Sequence, residues 1–240
     1  VHKAMRQLHY AATDTIPVGS IDKDTSWTYA LRDVDCVIHL AARVDVTRDL
    51  GASSLDAYRS INVAGTEKLA CDAAAAGVRR LVFLSSIKVN GERTHDKPFG
   101  EDDPPRPEDA YGISKWEAEQ SLWRIASESG LEVVVLRAPL VYGPGVKGNF
   151  LRLMRLVARG CPLPLASVRN RRSLVYLGNL VDALIVAANA PAAAGRTYLV
   201  SDGEDWSTPE LVRRIAGALG VAPRLLPFPP ALLQAGGALL

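Results

Sequence analysis

Three runs of this chain are apolar without alternation: Cys36-Val37-Ile38, which leads into His39-Leu40-Ala41-Ala42, then Leu81–Leu84, then Leu131–Leu136, interrupted by Glu132 alone. A strand with one wet face alternates polar and apolar residues, whereas an unbroken apolar run is a strand covered on both faces. Helical stretches separate the runs. One covers Leu55–Ala76 and stops at Gly77; the other covers Ala110–Ser129, with Gly130 as its C-cap. Ile61, Leu69 and Ala73 are expected on the buried side of the first, and Ile113, Trp116 and Trp123 on that of the second. Buried strands alternating with helices of this length give βαβ units. The fold class is α/β, a doubly wound parallel sheet.

The flanks read less firmly. Val1–Met5 and Thr15–Val18 have the texture of short strands, and Thr25–Arg32 has helical potential. Thr94–Asp109 is rich in Pro, Asp and Glu and is expected to be a loop. After Arg137, residues Pro139, Gly143, Pro144, Gly145 and Gly148 crowd a turn-rich stretch. A helix over Asn149–Arg159 follows, then a strand at Leu174–Leu177, a helix over Asn179–Ala190 capped by Asn179, and a strand at Thr197–Val200. Ser207-Thr208-Pro209-Glu210 starts a last helix, with a cap, a proline in the first turn and a glutamate at the capping-box position.

Composition narrows the function classes. The 28 basic and 26 acidic residues leave a net charge of +2, which gives no reason to invoke nucleic acid or an acidic membrane surface. Arg169, Arg171 and Arg172 form the one tight basic cluster. Cys36, Cys71 and Cys161 are odd in number and far apart, fitting neither a disulfide framework nor a zinc site, so no metal is expected and a reduced, cytoplasmic setting is. No signal peptide or membrane span is visible, and the apolar stretch Ala231–Leu240 is too short to span.

The chemistry gathers between Leu81 and Gly130. Tyr111 and Lys115 are four residues apart and share one helix face. A phenol titrates near 10 and is a poor base at neutral pH; a fixed ammonium beside it is expected to lower that value. Ser86, at a strand end, can hold a substrate oxygen against the same phenol. Tyr-x3-Lys alone is a weak signal. Its setting lifts it, because ligands of open parallel sheets bind at the carboxyl ends of the strands.

The chain resembles the extended short-chain dehydrogenase/reductases, in the NAD-dependent epimerase/dehydratase branch typified by UDP-glucose 4-epimerase. The residues that carry the likeness are His39-Leu40-Ala41-Ala42, Asn62-Val63-Ala64-Gly65-Thr66, Leu84-Ser85-Ser86 with Gly91, Tyr111-x3-Lys115, Arg137-Ala138-Pro139 with Val141-Tyr142-Gly143-Pro144-Gly145, and Arg172-Ser173-Leu174-Val175-Tyr176. They run in the family's order over most of the chain. The resemblance implies a Rossmann fold binding NAD, with NADP left open by Lys3 and Arg6. It makes residues 1–138, with 173–200 returning, a dinucleotide-binding domain, and residues 139–172 and 201–240 a small C-terminal substrate-binding lobe. Tyr111 would be the general acid/base, Lys115 its activator and a ligand of the nicotinamide ribose, and Ser86 the partner of the reacting oxygen. Ser20 and Ile21 would lie at the adenine, and Leu40, Ala41 and Ala42 along the cofactor. Asn62, Ser85 and Pro139 would stand near it. Asn149, Phe150 and Arg172 would grip the nucleotide half of a nucleotide-sugar substrate. A homodimer is compatible with this family.

Departures refine the expectation. No Gly-x-x-Gly-x-x-Gly stands near the start, and Val1–Met5 looks like the family's second strand. The first strand, the glycine-rich loop and the first helix, roughly 25–30 residues, are therefore expected to be missing from this chain, and such a truncated chain is expected to be inactive. Ser20 occupies the place of a usual Asp, Leu140 that of a substrate-contacting Asn, and Asn90 that of a Tyr. Ile87 and Lys88 follow Ser86 where a dehydratase carries Asp-Glu, which disfavours elimination. What remains is reversible hydride transfer: a 4-epimerase working through a 4-keto sugar, or alternatively a nucleotide-sugar 4-keto reductase. A non-catalytic cofactor-sensing protein on the same fold is the reading of another class.

Overall fold

The apolar runs become neighbouring strands of one parallel sheet. The computed structural model describes residues 14–44, 53–94 and 96–229. In chain order the elements are β1 (Cys36–His39), helix α1 (Ser53–Tyr58) continuing through a π-helical turn (Arg59–Gly65) into α2 (Thr66–Ala75), β2 (Arg80–Ser86) with a 3₁₀ turn (Ile87–Val89), α3 (Ala110–Ser129), β3 (Glu132–Ala138), β4 (Leu140–Tyr142), α4 (Gly148–Ala158), β5 (Arg172–Tyr176), α5 (Leu177–Asn189), β6 (Arg196–Leu199), β7 (Asp205–Trp206) and α6 (Thr208–Leu219). They fall into two units. The first runs to Pro139 and regains Gly178–Val200; the second holds Leu140–Leu177 and the residues from Ser201 on.

In the first unit the strand order is β1-β2-β3-β6, every pair parallel, with Leu81 beside Val133 and Phe83 beside Val135. Leu81, Phe83, Val133 and Val135 are buried and pack against Leu69 and Ala73 of α2 and Ala118, Leu122 and Ile125 of α3. Fully burying one such side chain contributes roughly 1.5–3 kcal/mol. Successive side chains point to opposite faces of a pleated strand, so Arg80 and Val82 face the other way. There the buried Arg80 guanidinium donates from Nη1 to the carbonyls of Ala187 (2.9 Å), Ala188 (3.2 Å) and Ala190 (2.7 Å), and pairs with Glu132. A cation thus closes the C-terminal end of α5, where backbone carbonyls lack intrahelical donors. Cover on both faces is the reason β2 and β3 do not alternate; β1 does not share it, since His39 is its one buried residue and Ile38 is 39 % exposed.

Several local expectations need correction. Thr15–Val18 is not a strand; Thr15, Ile16 and Pro17 are exposed, and Pro17 has no amide hydrogen to give a ladder. Thr25–Arg32 makes turns rather than a helix. The Thr25 hydroxyl donates to the Ser20 carbonyl (2.7 Å) and accepts from the Asp22 amide (2.8 Å), a local alternative to helical bonding. On α3 the buried face is Lys115, Ala118, Glu119, Leu122 and Ile125, while Ile113, Trp116 and Trp123 are half-buried. Asn179 lies inside α5 instead of capping it. Val1–Met5, with Lys3, and also Arg6 and Ala231–Leu240 lie outside the described residues. Elsewhere local chemistry sets the boundaries as expected: Asp109 accepts from the Gly112 amide at 2.7 Å to open α3, and Gly130, at φ 77°, closes it.

The second unit holds a three-stranded sheet, β4-β5-β7, with β4 and β5 parallel and β7 antiparallel. Residues 173–177, expected to return to the first part of the chain, fall here, because β5 pairs with β4 and β7. Phe150, Val157, Leu163, Leu174, Leu211, Val212 and Ile215 form its core. Ser207 accepts from the Glu210 amide, and the Glu210 carboxylate accepts from the Ser207 amide at 2.8 Å, a complete capping box. Ser207→Ala is expected to cost about 1 kcal/mol, read as a lower urea midpoint; an unchanged midpoint would show the cap to be dispensable.

Candidate active site

Strand β2 delivers two serines with opposite fates. Ser85 is buried, and its hydroxyl donates to Glu119 Oε1 at 2.5 Å. This side chain is therefore committed to the interior. Ser86, one residue on, ends the strand at its carboxyl end, and its side chain accepts from the Lys88 amide at 3.3 Å. Tyr111 is the second residue of α3, and its ring meets Tyr58 edge-on at 6.2 Å. Lys115 follows one turn later, only 1 % exposed, with Nζ 3.8 Å above the centre of the Phe83 ring.

The electrostatics differ from the simple phenol–ammonium device. Burial holds the Tyr111 phenol above its ordinary value; the Ser86 hydroxyl and Lys88 pull it down, while Asp109 and Tyr58 push it up. Burial lowers Lys115 itself to about 7, against the opposing charge of Glu119. Burial, helped by Lys115, lowers His39 to about 3, so this imidazole is neutral; its Nε2 lies 2.9 Å from Thr66 Oγ1 and its ring stacks on Phe83.

Two polar arrangements that were not legible in the sequence support these groups. Behind β2, Glu119 is fully buried and receives two prongs from Arg137, Nη2 to Oε2 at 2.6 Å and Nε to Oε1 at 3.1 Å. Arg137 Nη1 also donates to Asn90 Oδ1 (3.0 Å), and Asn90 Nδ2 to the Gly100 carbonyl (3.0 Å). The only local hint was the i, i+4 spacing of Lys115 and Glu119. Beside β1, the π-helical turn aims buried Asn62 inward. Its Oδ1 accepts from the Arg43 amide (2.8 Å), and its Nδ2 donates to the Arg43 carbonyl (3.1 Å) and Ser114 Oγ (2.9 Å). π-Turns inside helices concentrate at functional sites. A Cβ on Gly65 would come within 2.8 Å of Ile21 Cγ2, so the same turn requires glycine.

The remaining expected contacts are placed as follows. Leu40, Ala41 and Ala42 form the loop leaving β1, with Ala41 exposed. Ser20 is exposed and Ile21 half-buried against Gly65. Pro139 follows β3 directly and is half-buried. Asn149, Phe150 and Arg172 belong to the second unit. Asn149 and Arg172 are exposed, whereas the Phe150 ring is part of that unit's core and stacks on Tyr142 at 5.8 Å. Among the described residues no cluster of His, Cys, Asp and Glu could hold a metal ion, and no helix is long and apolar enough to cross a membrane.

Comparison with known proteins places this geometry. The pattern of the NAD dependent epimerase/dehydratase family matches residues 3–201. The chain belongs to that family. It is 49% identical over 214 residues to a UDP-glucose 4-epimerase of Vibrio cholerae, covering 88% of this chain and 65% of that protein. This chain therefore spans just under two thirds of that relative's length. It is 33% identical over 235 residues to a 2-alkyl-3-oxoalkanoate reductase of Stenotrophomonas maltophilia, covering 92% of this chain and 69% of the other. Among solved structures it is similar to MoeE5 in complex with UDP-glucose and NAD, with a TM-score of 0.76 at 26% identity, over 95% of this chain and 80% of that one. The UDP-glucuronic acid 4-epimerase of Bacillus cereus shares the fold, with a TM-score of 0.80 at 20% identity, over 94% and 72%.

The family's cofactor is NAD, and the first unit's residues fit it on one structural ground. Lys115 is 1 % exposed as a residue, and the one contact its Nζ makes among the described residues is with the face of the Phe83 ring. A ribose diol offers oxygens to which such an ammonium can donate. The small side chains of Ala41 and Ala42 let a flat ligand pass close to the loop backbone.

Proposed function

We propose that this protein is a nucleotide-sugar 4-epimerase of the UDP-glucose type. The observation that carries the reading is the placing of Ser86 at the carboxyl end of β2 and of Tyr111 at the start of α3, the serine hydroxyl favouring the phenolate, with Lys115 one helical turn beyond, in a chain this similar to a UDP-glucose 4-epimerase. A bound nicotinamide ring supplies acceptance and return of a hydride. The chain's residues handle the proton. Ser86 holds the sugar 4-hydroxyl and Tyr111 takes its proton as the 4-keto sugar forms. After the sugar turns over, Tyr111 returns the proton to the same oxygen. Lys115 binds the ribose and stabilises the phenolate electrostatically. Leu40, Ala41, Ala42, Asn62 and Pro139 line or steady the cofactor strip, and Ser20 and Ile21 mark its adenine end. Arg172 and Asn149 serve the diphosphate and nucleotide, since an exposed guanidinium suits phosphate oxygens. Ile87 and Lys88 provide no acid for expelling water, so dehydration is not part of the cycle.

A keto reductase is the second reading, favoured by the reductase from Stenotrophomonas maltophilia among the relatives. There Ser86 and Tyr111 act once per turnover. The test is to incubate the full-length protein with UDP-glucose and with UDP-N-acetylglucosamine. Formation of the 4-epimer without net change in nicotinamide absorbance is expected. Stoichiometric consumption of reduced cofactor with a keto sugar would select the reductase, and inactivity of cofactor-loaded protein on every nucleotide sugar would refute both.

A further inference from the structure

Phe83 is the one aromatic residue of β2, and the sheet register fixes its surroundings. Its neighbours on the same face are His39 of β1 and Val135 of β3, and the ring is fully buried. The Lys115 ammonium lies over it, with Nζ 3.8 Å from the ring centre. The His39 imidazole stacks against the same ring, the two centres 5.6 Å apart and the planes inclined by 26°. His39 is anchored in turn from α2, its Nε2 2.9 Å from the hydroxyl of the buried Thr66. A chain of contacts from Thr66 through His39 and Phe83 to Lys115 thus joins α2, β1, β2 and α3. The carboxylate one turn further along α3, Glu119, is engaged elsewhere: it binds Arg137 through two nitrogens and accepts from Ser85. An aromatic face attracts a cation through its negative quadrupole. Unlike a carboxylate, it brings no net charge and no lone pairs to fix each N–H.

We propose that Phe83 is a positioning residue for the cofactor: its ring face holds the Lys115 ammonium charged and in place from one side, leaving the N–H donors of the other side for a ribose diol. The proposal rests on the reading of Lys115 as the ribose ligand. The titratable and charged groups around Lys115 are Tyr111 and Glu119, one turn to either side on α3, Arg137 of β3, bound to Glu119, and His39 of β1. His39 is neutral, so it braces the ring without adding a like charge. Burial works against the ammonium and Glu119 works for it; the ring face acts in the same direction as Glu119.

Shape and charge separate cleanly at this position, because fluorines on the ring edge drain its negative face and leave its size nearly unchanged. In the full-length protein, Phe83 is replaced by 4-fluoro-, 3,5-difluoro- and 3,4,5-trifluorophenylalanine, and by Leu. Lysine labelled with carbon-13 at Cε reports the Lys115 titration by NMR in the absence of cofactor; its resonance is the one missing from Lys115→Met. The midpoint is expected to fall stepwise along the fluorinated series, by about one pH unit at three fluorines. NAD affinity is expected to fall in parallel, by about three- to tenfold. The Lys115 Hε signals, displaced upfield by the ring, are expected to return towards ordinary lysine positions in Phe83→Leu. A midpoint unmoved by fluorination would overturn the proposal, as would a falling midpoint with NAD affinity unchanged. Unchanged NAD affinity in Lys115→Met would overturn the ribose reading along with it. Should Phe83→Leu not fold, the fluorinated series decides alone. The titration needs neither turnover nor substrate, so failure here is separable from failure of the epimerase reading, which the sugar assay decides.

Discussion

Lys115→Met is expected to abolish turnover and stabilise the fold at the same time. The ammonium is buried over Phe83 and lowered from 10.5 to about 7, so folding carries much of its desolvation cost at neutral pH. Methionine fills a similar volume without a charge. The substitution orphans no partner, because Glu119 keeps its two-pronged bond to Arg137. A gain on the order of 1–4 kcal/mol is expected, together with a loss of turnover of about 10²–10⁴-fold. The pH dependence supplies a second reading. Between pH 7 and 10.5 the unfolded chain binds a proton at this lysine that the folded chain does not, so its linkage makes stability rise with pH through that window. In Lys115→Met this slope is expected to vanish. Urea denaturation at pH 7 and 9.5 measures both effects; a destabilised variant with the slope intact would refute the burial argument.

Glu119→Ala is expected to be the most damaging single change, costing about 3–5 kcal/mol. It leaves the Arg137 guanidinium, 4 % exposed, without its carboxylate, and takes the acceptor from the Ser85 hydroxyl one residue before Ser86. It also removes the anion that holds the Lys115 ammonium up. Substituting both partners, Glu119→Leu with Arg137→Met, is expected to recover much of the stability, since a buried pair replaced by apolar groups leaves no unpaired charge. Chemical denaturation of the single and double variants checks this. A double variant as unstable as Glu119→Ala would mean that packing, rather than charge, sets the cost.

These two residues mark the limit of what periodicity can read. The apolar pattern of α3 selected Ile113, Trp116 and Trp123, yet the structure buries Lys115 and Glu119 more deeply than any of them. A charged residue is read as exposed unless its partner is known, and Arg137 comes 18 residues later, on β3. The Ser85–Glu119 bond spans 34 residues and the Asn62–Ser114 bond 52. Ser85 and Ser86 look equivalent on paper; the pleat of β2 turns one inward and releases the other at the strand end. The Lys88–Asp109 contact spans 21 residues across the polar loop, and nothing in the local sequence of either residue announces it.

What was legible rests on interactions close along the chain. Unbroken apolar runs identified β2 and β3 as doubly covered strands, and Asp109 with Gly130 bounded α3 at the residues where it begins and ends. The Ser207–Glu210 capping box was readable for the same reason, as were Tyr111 and Lys115 as a pair one turn apart. Burial of Lys115, the Lys88–Asp109 contact, the π-turn that aims Asn62, and the closure of α5 by Arg80 all depend on segments brought together by the sheet. Desolvation and charge pairing act through space, so these features follow from which distant residues the fold makes neighbours.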